Sequence, residues 1–240
     1  MLPLALSMLA AAVAAFVRGL AGFGMAILLV PLLGLVIAPA KAVVVSNFLG
    51  LLIGMVGARR VWSEGEKSAG LIGVLAMVFT PLGLVALAAT PAPLARTLIA
   101  LIAIGAFVLV LLPPRAAKTP GTTETGLTGA AAGLLTGFAG MPGPPVVSYY
   151  LCRPVPAAVA RASMFTVFLM TSIASTAAAL ALGMASWRDA AFAGLLFLPV
   201  LLGNWIGEKA FGRVSERAWR GLVGFVLGLS GLMAIVRMFS

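Results

Sequence analysis

Long apolar runs follow one another along nearly the whole chain, with only short polar or Gly- and Pro-containing stretches between them. Of the 240 residues, 62% are hydrophobic and 9% are charged, and the mean hydropathy is +1.17. Soluble domains carry roughly a quarter charged residues, so this chain has too few charges to cover a water-facing globule. The bilayer must be its solvent, and the sequence predicts an all-α integral membrane protein.

Composition also narrows the kinds of site that the chain can form. The sequence contains no His and a single Cys, Cys152, which rules out an intrachain disulfide and removes the commonest metal ligand. We therefore expect no metal site and no cofactor. The formal net charge is +10. Basic loops of a membrane protein contact anionic lipid headgroups, so we expect membrane lipid as a partner and no nucleic acid.

A Gly-rich break occurs twice, at 16–25 and again in altered form at 135–145. Both copies contain the pattern Gly-x-Ala-Gly and interrupt two apolar runs. The offset that lays Gly22 on Gly140 also lays Gly19 on Gly137, Ala21 on Ala139 and, far downstream, Pro81 on Pro199. We interpret the chain as two related halves, each beginning with a broken apolar hairpin.

The apolar segments divide evenly between these halves. The first repeat covers 1–112, an inter-repeat loop covers 113–125, and the second repeat covers 126–240. Because the second hairpin has only short limbs, of about 18 Å each at 1.5 Å per residue, we expect broken or re-entrant hairpins at 2–38 and 126–152. The predicted segments are 2–17, 24–38, 41–58, 68–89 and 94–112, then 126–139, 144–152, 157–184, 189–206 and 217–237.

Two hairpin limbs and three crossings per half change direction an odd number of times, so the sequence predicts two inverted repeats. The distribution of charge agrees with this topology. Positive residues favour the cytoplasm, which places the basic face inside and both termini outside. That face collects Arg59, Arg60, Lys67, Arg115, Lys118, Arg153, Lys209, Arg213, Arg217 and Arg220, whereas the other carries Lys41, Arg96, Arg188 and Arg237.

The breaks are the candidate binding site, because the helix that starts after each break has N–H groups without intrahelical partners. Together with the positive end of the helix dipole, such groups attract anions. In the first half the donors would come from Gly22, Phe23, Gly24 and Met25, and in the second the break at Gly140 leads into a helix opened by Gly143. The alternative is that the glycines only let helices pack closely.

Four polar side chains extend the candidate site. Arg18 lies next to the first break, and a cation at membrane depth marks a functional position by default, although a short limb would let it reach the surface. Asn47 and Asn204 are predicted to line a cavity. Ser163 lies within one residue of the position that the repeat offset assigns to Ser46-Asn47. The alternative is that its hydroxyl, like many in membrane helices, only bonds a carbonyl of its own helix.

At these residues the chain resembles the sulfite exporter TauE/SafE family of bacterial membrane permeases. The resemblance covers nearly the whole length and rests on the Gly-rich break with Pro31 after it, its copy at 137–145, and the segments around Pro81 and Pro199. It implies a permease in the bacterial inner membrane that moves small sulfur-containing anions such as sulfite or sulfoacetate. The residues alone also point to an anion permease that works around helix N-termini.

Three other functions remain open at this point. An anion channel would use the same pair of half-helices. An intramembrane enzyme would need a nucleophile with a base or a metal, for which this chain has few residues, so we predict no enzyme. A scaffold subunit would not require broken hairpins in both halves. A homo-oligomer is compatible with any of them.

Overall fold

A computed structural model describes residues 2–56, 58, 64–111, 120–151 and 153–210. This part of the chain is helical and contains no strand, which confirms the all-α class for the described residues. The predicted segment 217–237, most of the inter-repeat loop and several of the counted basic residues lie outside it. The helices are α1 (Leu2–Ala21), α2 (Met25–Gly34), α3 (Pro39–Met55), α4 (Lys67–Ala89), α5 (Ala92–Leu111), α6 (Thr122–Ala139), α7 (Gly143–Leu151), α8 (Ala157–Ala181) and α9 (Trp187–Ala210).

Each half begins with one long limb and one short limb. Helices α1 and α6 have 20 and 18 residues, about 30 and 27 Å, whereas α2 and α7 have 10 and 9 residues, about 15 and 14 Å. The equal limbs expected for the second hairpin are therefore wrong. Helix α6 starts before the apolar run because the Glu124 carboxylate accepts the N–H of Gly121 at 2.8 Å and so caps the helix start.

The short limbs are buried inside the protein. Helix α2 buries Met25, Gly34 and nearly every residue between them, and Leu28, Leu29 and Leu33 have no exposed surface. A short helix that cannot cross the hydrocarbon core is tolerated at membrane depth when protein surrounds it. Among the described residues, four longer helices are apolar and long enough to cross a membrane, namely Leu2–Ala21, Lys67–Ala89, Ala158–Ala181 and Trp187–Ala210.

Close contacts between helices of the first half and helices of the second half hold the two halves together. Helix α1 packs along α9, and α4 packs along α6. The repeat offset lays α1 on α6 and α4 on α9, so the two contacts are equivalent in the two halves. Glycines make both contacts close: a Cβ on Gly207 would meet the carbonyl oxygen of Phe16, and one on Gly133 would meet that of Ala76. Such small-residue contacts are typical of helix pairs in membranes.

The outer surface carries an exposed apolar stripe on α4. On α4 the exposed large side chains recur every three or four residues and so share one face. The opposite face of α4 packs against α6 and α8. The stripe consists of Leu71, Val74, Val78, Leu82 and Val85.

Candidate functional site

The first break is a tight left-handed turn between α1 and α2. Helix α1 continues to Ala21, so Arg18 lies in the last turn of this helix. The predicted segment boundary at residue 17, which would place Arg18 in the break, is wrong. Gly22 and Gly24 have φ values of 84° and 98°, which glycine adopts without steric cost. The N–H of Gly22 donates to the carbonyl oxygen of Arg18 at 2.7 Å and ends α1. The donors at the start of the next helix are therefore those of Met25, Ala26 and Ile27.

The second break has the same geometry but fewer backbone donors. Gly140 has a φ of 70°, and its N–H donates to the carbonyl oxygen of Thr136 at 2.8 Å. The N–H of Met141 donates to the carbonyl oxygen of Leu135 at 3.1 Å. Since Pro142, Pro144 and Pro145 carry no N–H, Gly143 supplies the only backbone donor between residues 142 and 145.

Both breaks open onto one cavity. Its volume, counted as the space open to the centre of a water molecule, is about 50 Å³, which exceeds the roughly 10–15 Å³ that one water needs. Helices α3 and α8 close its sides. The lining includes Phe23, Gly24, Met25, Ala26 and Ile27 from the first break, Gly140, Met141, Pro142 and Gly143 from the second, and Arg18, Ser46, Asn47 and Ser172 from the helices.

Arg18 supplies the positive charge in the cavity wall. The residue is only 9% exposed, and its Nη1 donates to Oδ1 of Asn204 at 2.7 Å. Its guanidinium carbon also lies 4.5 Å from the centre of the Phe165 ring, a cation–π contact. Asn204 itself does not line the cavity, so it acts on the cavity by holding Arg18.

A second arginine, Arg161, lies near Arg18 and is linked to Asn204 through Glu208. Arg161 Nη2 donates to the carbonyl oxygen of Gly19 at 2.7 Å and lies 3.9 Å from Oε1 of Glu208. Glu208 Oε1 also accepts a hydrogen bond from Nδ2 of Asn204 at 3.0 Å. Arg161 thereby binds a carbonyl near the C-terminal end of α1, where a cation is favoured by the helix dipole. The two arginines and one glutamate leave this cluster with a net positive charge.

Two polar atoms in the cavity wall have no hydrogen-bond partner. Ser46 Oγ and Asn47 Nδ2 are buried, and neither makes a hydrogen bond. Leaving a buried donor unpaired costs about 1–3 kcal/mol, so such groups are expected where a ligand or water binds. A Cβ on Gly140 would lie 3.8 Å from Asn47 Nδ2, which places this amide beside the second break.

Comparison with known protein families agrees with this arrangement. Residues 7–234, nearly the whole chain, match the family described as Sulfite exporter TauE/SafE. The chain belongs to this family. No curated protein and no solved structure matches it significantly. As a TauE/SafE protein with four candidate spans in its described part, the chain is a multi-pass membrane permease, and the family is one of transporters rather than enzymes.

The structure distributes the predicted site residues of this TauE/SafE protein unevenly. Seven of them line the cavity, and three do not. A Cβ on Gly22 would lie 2.9 Å from Cγ of Arg161, and Asn204 holds Arg18. Those in the cavity are Arg18, Phe23, Gly24, Met25, Asn47, Gly140 and Gly143, and those outside it are Gly22, Ser163 and Asn204.

Ser163 belongs to a separate polar network of the TauE/SafE chain. Its Oγ accepts the N–H of Glu66 at 2.8 Å, and the Glu66 carboxylate pairs with Arg153. Arg153 also donates to the hydroxyl of Tyr149 at 2.9 Å. This network ties the start of α4 to the chain around α7 and α8, away from the cavity.

The site predicted from the sequence does not include Arg161, Phe165 or Ser172. Neither a Gly-rich break nor a charge marks Phe165 or Ser172, because both lie inside one long apolar helix. For Arg161 a signal does exist, since it is a charge four residues inside a spanning helix.

Proposed function

We propose that this TauE/SafE protein is a permease for a small sulfur-containing anion of the sulfite or sulfoacetate class. The observation that carries the proposal is the single cavity lined by both Gly-rich breaks and by Arg18. In transporters with related halves, broken helices meet at a central site and point their N-termini at anionic groups. We infer that substrate binds here and that alternating access exposes the cavity to each side in turn.

The cavity offers hydrogen-bond donors suited to an oxyanion. The guanidinium of Arg18 has five N–H donors, of which Nη1 donates to Asn204. The first N–H groups of α2 and the Asn47 amide add neutral donors. Charge-assisted hydrogen bonds are about twice as strong as neutral ones, so Arg18 would contribute most to affinity.

The apolar part of the wall strengthens these interactions. Phe23, Met25, Ile27, Met141 and Phe168 contribute apolar side chains to the cavity wall, which lower the effective dielectric constant there. Electrostatic attraction grows as the effective dielectric constant falls. The net positive charge of the Arg18, Arg161 and Glu208 cluster then favours an anion over a neutral solute.

We further propose that the two halves are inverted repeats in a bacterial inner membrane. Lys41 at the start of α3 bonds Asp189 and the carbonyl oxygen of Met184, while Glu66 bonds Ser163 near the start of α8. These contacts support antiparallel courses for α3 and α8, as inversion requires. The excess of Lys and Arg on one face supports a cytoplasmic position for that face and an external position for both termini.

The experiment is uptake of radiolabelled sulfite, sulfoacetate, thiosulfate and sulfate into proteoliposomes. We expect saturable uptake of one anion by the wild type, with exchange against the same anion inside. Arg18→Gln removes the charge at similar size, and we expect it to lower kcat/KM about tenfold or more. Arg96→Gln is the matched control, because Arg96 donates to the Gly34 carbonyl oxygen and lies outside this cavity.

The outcomes separate the alternatives. If Arg18→Gln transports as well as the wild type, the site is not at this cavity. If flux rises linearly with concentration and shows no exchange, the protein is an anion channel. If none of the four anions moves, the substrate class is wrong.

A further inference from the structure

Ser46 and Asn47 place two polar groups in the wall of the anion cavity without a hydrogen-bond partner in the described part of the chain. The groups are Ser46 Oγ and Asn47 Nδ2. Both residues are more than nine-tenths buried, with exposed fractions of 2% and 4%. Such groups are costly to keep, because each has lost its hydrogen bonds with water and has gained none in the protein. They are expected where a ligand supplies the missing partner.

Ser46 differs from other buried hydroxyls of this protein. Ser and Thr in helices often donate to a carbonyl of the preceding turn. Ser46 makes no such bond, so its hydroxyl hydrogen is available to a ligand. The contrasting examples are Thr80 to Ala76 at 2.7 Å, Thr136 to Ala132 at 2.6 Å and Thr166 to Ala162 at 3.1 Å.

Asn47 lies beside the break that offers few backbone donors. A Cβ on Gly140 would lie 3.8 Å from Asn47 Nδ2. The second break has prolines at three positions, Pro142, Pro144 and Pro145, and none of them carries an N–H. The Asn47 amide therefore supplies a donor where the backbone of the second break has few.

The positive charge of the cavity wall does not choose between kinds of anion. Coulomb attraction depends on charge and distance, so Arg18 attracts a halide as well as an oxyanion. Among the described residues that line the cavity there is no Asp or Glu to repel either one. A choice between them requires groups that demand hydrogen-bond acceptors at separate positions.

The size of the cavity makes the positions of the donors important. Its volume of about 50 Å³ is several times the roughly 10–15 Å³ that one water needs. A halide is a single atom, so it fills only part of this space and leaves part of the wall without a partner. An oxyanion carries several oxygens, and each oxygen can accept more than one hydrogen bond.

We propose that Ser46 and Asn47 select an oxyanion over a halide, a role that rests on the anion site proposed above. One oxygen of the bound anion accepts from Arg18, and the others accept from Asn47 Nδ2 and the Ser46 hydroxyl. A bound halide leaves the last two donors unpaired. A site built to hydrogen-bond its ligand discriminates strongly against a ligand that lacks the matching groups.

The test is equilibrium binding of radiolabelled sulfite to the purified full-length protein, with chloride affinity measured as displacement of the bound sulfite. We expect the wild type to bind sulfite about tenfold or more tightly than chloride. Ser46→Ala and Asn47→Leu each remove a donor, so each should weaken sulfite binding about tenfold and chloride binding less than about twofold. Arg18→Gln removes the charge and should weaken the binding of both anions to a similar extent.

Two features of the variants keep this test independent of folding. Ser46→Ala deletes an atom that makes no hydrogen bond, so its Tm should not fall. Thr80→Val is the control for loss of a buried hydroxyl, because Thr80 donates to the Ala76 carbonyl oxygen and lies outside the cavity. We expect it to keep the wild-type ratio of sulfite affinity to chloride affinity.

Equal affinity of the wild type for sulfite and chloride, or no sulfite binding, would overturn the proposal. Unchanged sulfite affinity in Ser46→Ala, or an equal loss of sulfite and chloride affinity, would also overturn it, even if Asn47→Leu does not fold. Oxyanion uptake with unchanged selectivity in both variants would remove only this role and leave the permease function standing. Selective binding without transport of any anion would leave this role and remove the permease function.

Discussion

Arg18 shows how one side chain can hold a charge inside this protein. A buried cation is tolerated when acceptors and aromatic faces replace the water that it loses. Asn204 provides the acceptor at 2.7 Å, Phe165 provides the ring face, and Glu208 supplies a negative charge one hydrogen bond further away. Because the acceptor in direct contact is neutral, no carboxylate in the described part of the chain bonds Arg18 directly, and its charge stays available to an anion.

The hydrogen bond to Asn204 can be separated from the charge of Glu208 by mutation. Asn204→Leu removes the acceptor, and a hydrogen bond to a charged group is worth about 1.5–3 kcal/mol, so we expect a clear fall in Tm. Glu208→Gln keeps an acceptor for Asn204 and should cost less, because the Glu208 side chain is 48% exposed and its charge is partly screened by solvent. Thermal unfolding of both variants in detergent measures the difference.

An equal or larger fall in Tm for Glu208→Gln would contradict this account. It would mean that the negative charge, and not the neutral acceptor, keeps Arg18 in place. The wild type at the same detergent concentration is the reference for both variants.

The candidate site could be predicted in part from the sequence. Gly140 stands out because it breaks an apolar run at the repeat partner of Gly22, and Arg18 stands out because it is a charge next to a break. The partner of Arg18 could not be predicted, since Asn204 is brought to it only by the packing of α9 on α1. Ser163 looked similar to Asn47 by repeat position but points into the Glu66 network.

At the scale of helices, the unequal limbs of each hairpin were not predictable from hydropathy. Polar residues at the start of α6 look like loop, yet Glu124 caps the helix and extends it by one turn. Likewise α1 runs past Arg18 because the helix continues to bond its own carbonyls until Gly22 ends it. A helix terminates where backbone geometry changes, and a change of polarity does not by itself mark that point.

The α4–α6 contact depends on the missing side chain of Gly137. A Cβ there would meet backbone atoms of Thr80 and Leu84 on α4, which cannot move aside as a side chain would. We expect Gly137→Ala to destabilise the protein by about 1–3 kcal/mol through overpacking. Gly126→Ala on the same helix is the control, because its Cβ meets nothing within 4 Å. Thermal unfolding monitored by size-exclusion chromatography measures both.

Gly126→Ala should leave Tm unchanged or raise it slightly, since alanine is a better helix former than glycine. If Gly137→Ala is equally well tolerated, the two helices separate easily, and the glycines are not what sets their distance.

At the scale of the whole molecule, the α1–α9 and α4–α6 contacts join the two halves into one unit. Helix α1 of the first half needs α9 of the second, and α4 needs α6, so neither half buries its close-packing face alone. The cavity lies where the two hairpins meet. Movement of one hairpin relative to the other would therefore change access to the cavity, which is what alternating access requires.

The membrane topology is testable with single cysteines in a Cys152→Ser background. Three exposed sites suit labelling, at Val36 between α2 and α3, Gly121 before α6 and Leu182 after α8. The inverted repeats that we propose require α3, α4 and α5 each to cross the membrane, so an odd number of crossings would separate Val36 from Gly121, and we expect them on opposite sides. The bond from Lys41 to the Met184 carbonyl oxygen places the α3 start beside the loop that follows α8, so Leu182 should label with Val36.

A membrane-impermeant maleimide should modify Val36→Cys and Leu182→Cys in right-side-out vesicles and Gly121→Cys in inside-out vesicles, because positive residues favour the cytoplasm. Transport by each variant serves as the control for folding. Labelling of Val36→Cys and Gly121→Cys from the same side would make the halves parallel. Their breaks would then enter from one face of the membrane, and a rocking motion between inverted hairpins would be impossible. The reverse pattern, with Gly121→Cys outside, would keep the inversion and overturn only the orientation.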